Sequence, residues 1–323
     1  MQSMARHTFQ IMLLMLAGRL LAADPGYALE LSVASDGSAQ YATIQSAIEA
    51  TKSYPDYPIA IRIAAGIYRE KVRVPPWNPR LTLQGDGPDK TILVWDDHFD
   101  RIQRGRNSTF HTYTLKIEAN EVRVESLTIE NAAGPVGQAV ALHVEGDRCS
   151  FEACLIKGHQ DTVFLDGEGS RHFFKGCSIE GTTDFIFGQA TAWFQDCQIH
   201  AKSDSFITAA STSPNQSHGL VFYECQFTAA PSVKEVRLGR PWRAHARTVL
   251  ISCILDSAIH PEGWGAWNHR DQPTTTYYAE YQSTGKGARP SMRVEWSHQL
   301  TEQELSAHSR QKVLRGWNPE PLR

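Results

Sequence analysis

Beyond its first 23 residues this chain has no apolar run long enough to cross a bilayer as a helix. Its 13 histidines form no HxH or HExxH cluster, and its cysteines are spaced too widely for a zinc knuckle. No metal or other cofactor is therefore expected. Charge of one sign is not in surplus either: 32 Lys and Arg face 35 Asp and Glu, for a net charge of −3. Without a global basic surface, nucleic acid is not an expected partner, and a polyanionic substrate would need cations placed locally. Long helical patterns, low-complexity tracts and linkers are missing as well, so one domain over residues 29–320 is expected. Residues 1–23 stand apart. Arg6 and His7 precede the apolar run Ile11 to Gly18, and Leu20-Leu21-Ala22-Ala23 leads into Asp24-Pro25. That order reads as a signal peptide for export to the periplasm or outside the cell.

What the chain does have is a repeat. An apolar residue, two variable residues, Cys or Leu, one variable residue and a second apolar residue recur six times. The copies are Val124-Leu127-Ile129, Phe151-Cys154-Ile156, Phe174-Cys177-Ile179, Phe194-Cys197-Ile199, Phe222-Cys225-Phe227 and Leu250-Cys253-Leu255. Their central positions lie 27, 23, 20, 28 and 28 residues apart. Short alternating runs at such intervals are the sequence trace of a β-solenoid, so the chain should wind as a parallel β-helix. Five of the six cysteines occupy the repeat position and should stack inside as small apolar residues. Rung spacing also leaves open a bridge from Cys177 to Cys154 or Cys197. Tyr41 to Ala50 carries helical spacing and should cap the first coil, while an aromatic tail beyond Ser257 and a helix opening at Thr301 should close the far end.

The repeat turns spacing into carboxylate geometry. Asp161 and Asp184 each stand five residues after the signature's final isoleucine, Ile156 and Ile179. In register on neighbouring coils, they would lie roughly 5 Å apart on one face. Two acids that close perturb each other's ionisation and can divide acid and base roles. The plainer alternative is a structural ladder of turn aspartates. In the following coil the equivalent position is either Asp204 or Ser205.

Six further stretches resemble one family, the pectin methylesterases. They are Gly66-Ile67-Tyr68-Arg69-Glu70, Gln138-Ala139-Val140-Ala141-Leu142, Gln160-Asp161-Thr162, Asp184-Phe185-Ile186-Phe187-Gly188, Leu238-Gly239-Arg240-Pro241-Trp242 and Tyr278-Ala279-Glu280-Tyr281, in order between about Leu31 and Trp317. The resemblance implies a right-handed, single-stranded parallel β-helix acting as a monomer on methyl-esterified homogalacturonan. It implies Asp184 as nucleophile, Arg240 as its ion-pair partner, Asp161 as general acid and then base, and Gln138 and Gln160 as donors to the oxyanion. Trp242 would stack on a sugar ring, and Phe185 would sit beside the nucleophile at the groove wall. Tyr68 and Glu70 are read as fold-specifying. The loop Asp166-Gly167-Glu168-Gly169-Ser170 looks longer, and the Asp184 to Arg240 interval shorter, than in plant relatives, so the groove rim should differ. Alternatives are a related envelope esterase acting on carbohydrate or acyl-thioester substrates, and a non-catalytic carbohydrate-binding β-helix.

Overall fold

The computed structural model describes residues 27–268 and 274–319; the signal-peptide reading of residues 1–23 falls outside them. Each coil bends twice and contributes to three parallel sheets of eleven, eight and seven strands, and the chain forms a right-handed parallel β-helix. One full turn of the repeat runs Cys149–Glu152, Leu155–Lys157 and Val163–Leu165, and its successor runs Arg171–Lys175, Ser178–Gly181 and Ile186–Gly188.

The signature has a physical explanation. The residue just before each Cys or Leu position takes a left-handed conformation: Ser126, Ala153, Gly176, Asp196, Glu224 and Ser252 have φ between 53° and 58°, apart from Ala153 at 51°. A single left-handed residue turns the chain from the eleven-stranded sheet into the eight-stranded one, at a cost of about 1–2 kcal/mol for each residue other than glycine. Packing offsets that cost. Inside the bend, Phe151, Phe174, Phe194 and Phe222 stack with centroids 4.5–4.7 Å apart and interplanar angles of 10–14°. That separation is the distance between hydrogen-bonded strands, so the rungs themselves dictate the ring stack.

Cys154, Cys177, Cys197, Cys225 and Cys253 line up beside the rings, buried, and all six cysteines are free thiols. Each of four donates to a carbonyl of the coil before it, as Cys177 Sγ does to the Phe151 carbonyl at 3.5 Å.

Both ends are closed. The helix Ile44–Glu49 buries Ile44, Ala47 and Ile48 over the first coil. Glu70 accepts from the amides of Ile44 and Gln45 at 2.8 and 3.0 Å, satisfying the helix's first donors. Tyr68 is buried and donates to the Ala64 carbonyl at 2.9 Å, so both residues serve the fold. At the other end Trp264 and Tyr278 are fully buried with ring centroids 4.6 Å apart. Glu280 is held in a buried ion pair by Arg293 at 2.6 Å. The helix opened by Thr301 is short, Glu302–Leu305, with a complete capping box, and the tail beyond it packs Val313 and Leu314 against Phe173, Trp193 and Val221 outside the eleven-stranded sheet.

Phe194→Ala removes an inner ring of the four-ring stack. Its expected cost is about 3–5 kcal/mol, read as a lower midpoint in chemical denaturation, with a mild loss below 1 kcal/mol contradicting the packing account.

Candidate active site

The outer face of the seven-stranded sheet carries the site. Its strands pair in the order Val72–Val74, Leu115–Ile117, Leu142–Val144, Val163–Leu165, Ile186–Gly188, Phe206–Ala210 and Arg237–Gly239. The outward position on successive rungs is held by Arg73, Lys116, His143, Phe164, Phe187 and Ala209. Polarity on this face therefore changes along the helix axis, from cationic to aromatic.

Val163 pairs with Ile186, which puts Asp161 and Asp184 two residues upstream on neighbouring rungs in the same register. The Asp161 amide donates to the Thr183 carbonyl at 3.0 Å, and the Asp184 amide to the Phe206 carbonyl at 2.8 Å. Ile186 pairs with Thr208, so Phe206 occupies the equivalent place in the next coil, not Asp204 or Ser205. Two extra residues in the turn after Gln198–Ala201 shift the register, and the Asp204 carboxylate instead accepts from the amides of Lys234 and Glu235. Gln138 and Gln160 form an isolated parallel bridge, so they stack in line on the rungs beside the acids. Among the described residues neither glutamine side chain is engaged by another group.

Arg240 crosses from the rung two beyond Asp184. Its Nε donates to Asp184 Oδ1 at 2.9 Å and its Nη2 to Oδ2 at 2.6 Å, a two-pronged ion pair. The guanidinium lies between the rings of Phe206 and Trp267, 4.5 and 4.4 Å from their centroids, which holds its plane while leaving its edge for the carboxylate. Trp242 follows, half-buried, with its ring edge-on to Phe187 at 5.9 Å.

Asp161 and Asp184 are both left-handed, at φ 64° and 50°. Non-glycine residues so placed carry strain that the surrounding structure must impose, a feature that clusters at functional sites. Burial raises the proton affinity of both. For Asp161 the neighbouring Asp184 charge adds to this and Arg240 only partly opposes it, so its carboxyl is held well above the usual range. Asp184 is raised by burial and pulled back by its direct hydrogen bonds to Arg240. The arrangement thus makes Asp184 the acid that ionises first and leaves the proton on Asp161.

Of the seven residues singled out in sequence, six converge here. Phe185 does not. Its ring is wholly buried in the interior of the helix, because left-handed Asp184 interrupts the in-and-out alternation and turns both Phe185 and Ile186 inward. Gly181 makes the space: a Cβ there would come within 2.3 Å of the Phe185 Cβ. The outward-pointing aromatics are Phe164 and Phe187, both buried beneath neighbouring rings; they stack at 4.7 Å, with Phe110 on Phe164 at 4.9 Å. Each stands three residues after a paired aspartate, a periodic signal that the alignment of coils contained. Gly188 beside them has φ 125°, and a Cβ there would meet the Leu165 carbonyl oxygen at 2.0 Å.

One group of potential metal ligands occurs among the described residues: His143, Glu145 and Asp166, with ligand atoms within 4.8 Å of one another. Lys116 Nζ lies 2.8 Å from Glu145 and already supplies the positive charge there.

A family model described as Pectinesterase matches residues 30–316. A probable pectinesterase/pectinesterase inhibitor of Arabidopsis thaliana is 37% identical over 94% of this chain, which spans only 56% of that relative's length. Among solved structures, the pectin methylesterase from carrot superposes with a TM-score of 0.84 at 33% identity, covering 91% of this chain and 95% of its own. A pectin methylesterase in complex with a hexasaccharide gives 0.79 at 27% identity, covering 90% and 98%.

An acid whose proton affinity is raised by folding binds more protons folded than unfolded, so it costs stability as pH rises past its unfolded value. Asp161→Asn should therefore melt higher than the parent protein at pH 7, with the difference closing as pH falls below the ordinary carboxylate range. A variant less stable than the parent at pH 7 would contradict the raised proton affinity of Asp161.

Proposed function

The chain belongs to the pectinesterase family, as the match over residues 30–316 shows, and from that premise we propose that it hydrolyses the methyl esters of polygalacturonate to pectate and methanol. The observation that carries this reading is the two-pronged grip of Arg240 on Asp184, with Asp161, whose proton affinity burial and the Asp184 charge raise, on the adjoining rung.

The ionised Asp184 attacks the carbonyl carbon of a galacturonate methyl ester. The carbonyl oxygen becomes an oxyanion, to which the side-chain amides of Gln138 and Gln160 donate. One well-placed donor of this kind contributes about 3 kcal/mol. As the tetrahedral intermediate collapses, the C–O bond to the methoxy group breaks, and Asp161 gives that oxygen its proton, so methanol leaves. Asp184 is now joined to the substrate as an acyl anhydride. Asp161, left ionised, takes a proton from water, and the resulting hydroxide attacks the anhydride carbonyl. Collapse of the second intermediate returns the Asp184 carboxylate, still held by Arg240, and releases a free galacturonate. No bond of the polymer backbone is broken.

Half-buried Trp242 supplies an apolar face for the C–H face of a sugar ring, backed by the buried Phe187. The known complex of a family member with a hexasaccharide agrees with an extended sugar chain as ligand. A polymer substrate of this kind lies outside the plasma membrane, so export through residues 1–23 is part of the proposal. None of the described helices is long and apolar enough to cross a membrane. All proposed groups come from one chain, so a monomer suffices.

Asp184→Asn should lower methanol release from methylated polygalacturonate by at least ~10³-fold, and Asp161→Asn by about 10²–10⁴-fold, with circular dichroism unchanged. Wild-type rates in either variant would remove that residue from the mechanism.

A further inference from the structure

An open cleft lies on a different face of the coil from the paired acids, between the outer face of the eleven-stranded sheet and the C-terminal tail. It holds about 810 Å³, within the range of small-ligand clefts, roughly 300–1,000 Å³. Strand register builds one wall. Gln195, Tyr223, Ile251 and Tyr281 stand in line at the ends of the strands Thr191–Gln195, Leu220–Tyr223, Arg247–Ile251 and Tyr277–Tyr281. Two rungs separate Tyr223 from Tyr281, about 10 Å along the coil axis.

The tail supplies the other wall, from Glu302 to Arg310, and it is tied to the coils. His218 Nε2 donates to the Ala307 carbonyl at 3.1 Å, and Arg171 Nη1 to the Leu314 carbonyl at 3.3 Å. The lining combines aromatic rings with amides and hydroxyls. Trp193 is only 3% exposed and stacks on half-buried Tyr223, with centroids 5.4 Å apart and planes 25° from parallel. Its indole N–H is buried and meets no acceptor among the described residues. Gln195, Ser252, Gln282, Ser306 and Ser309 add polar groups around the rings. A sugar chain uses both kinds of surface, laying its C–H faces on rings and bonding its hydroxyls to amides and hydroxyls.

Charge selects among sugars. Glu302 lines the cleft, Asp196 accepts from Gln195 Nε2 at 3.2 Å, and hydrogen bonding to Glu224, then burial, raises the proton affinity of the Tyr223 hydroxyl. Arg310 is the lining cation; its guanidinium lies 5.8 Å from the centre of the Phe173 ring, with Nη1 3.5 Å from Gln195 Oε1. Lys175, which precedes Gln195 in the row, is paired with Glu152 at 3.7 Å. His308 is neutral at pH 7, because burial first and His218 next lower its pKa to about 4. Carboxylates thus outnumber the guanidinium, an environment that repels a polyanion and leaves an uncharged chain unopposed.

We propose that this cleft binds an uncharged polysaccharide chain, laid along the coil axis against Tyr223 and Tyr281. The binding site itself does not depend on the esterase reading above; its consequence, holding the enzyme within a matrix of mixed polysaccharides, does. Because the cleft and the paired acids face outward from different sheets, occupancy of one leaves the other open.

The test is calorimetry on the full chain with cellohexaose, xylohexaose and unesterified hexagalacturonate as probes. Tyr223→Ala/Tyr281→Ala removes both rings, and Ser306→Trp fills the cleft from an exposed position of the tail, which keeps the test decisive if the double variant does not fold. At least one neutral probe should bind the parent protein. The double variant should weaken that binding about 5–100-fold, the loss expected for two stacking contacts, and Ser306→Trp should weaken it as well. Hexagalacturonate affinity and methanol release from soluble pectin should stay at the parent values in both variants. Failure of both neutral probes to bind, neutral binding unchanged by Ser306→Trp, or hexagalacturonate binding that the variants weaken would each overturn the proposal. A parent protein that binds a neutral probe but releases no methanol from any pectin would instead overturn the esterase reading, and the calorimetry would still decide on the cleft.

Discussion

Parallel pairing of Val163-Phe164-Leu165 with Ile186-Phe187-Gly188 is the constraint on which the site depends. Strand pairing sets the distance between rungs at about 4.8 Å, and equal turns upstream place an aspartate at the same point of each. Two acids so arranged, Asp184 buried and Asp161 partly so, would compete for one proton. Arg240 breaks the symmetry, because its two hydrogen bonds go to Asp184 alone. From that follow an acid that is charged and a neighbour that keeps its proton, the complementary states that nucleophile and proton donor need in the proposed reaction.

The long arm of Arg240 would be a poor instrument if it were mobile. Its backbone amide donates to the Thr208 carbonyl at 2.9 Å, fixing it at the end of the strand Arg237–Gly239. Rings on both sides, Phe206 and Trp267, limit the guanidinium to one plane. The site is thus held by the same rungs that build the fold, and the two left-handed aspartates are a local cost that the stacked phenylalanines and the thiol column can bear.

Much of this was legible in the sequence because a solenoid writes its geometry as spacing. The Phe–Cys–Ile signature marked both the interior column and, by counting five residues onward, the in-register acids. The resemblance to known esterases then pointed to Gln138, Gln160, Arg240 and Trp242, which the coil winding brings to one face. Counting failed where a turn changed length. Two extra residues after Ala201 put Phe206 in line with Asp184, so neither Asp204 nor Ser205 continues the row. It failed again at Phe185, since alternation does not survive a left-handed residue and the ring turns inward against Gly181. The loop between the strands Thr91–Trp95 and Leu115–Ile117 belongs to no repeat, so only coordinates place it against the coils.

The outer face of the seven-stranded sheet is consequently graded along its length: cations at the N-terminal rungs, aromatic rings beneath the acids, then the Arg240–Asp184 pair. The central claim is the order in which the two acids ionise. It is tested most directly by following the side-chain carboxyl ¹³C signals of Asp161 and Asp184, assigned with the two Asn variants, through a pH titration of the ligand-free protein. The account predicts that Asp184 titrates first and that Asp161 stays protonated to a distinctly higher pH. Asp161 ionising before Asp184, or both titrating together at ordinary carboxylate values, would contradict it.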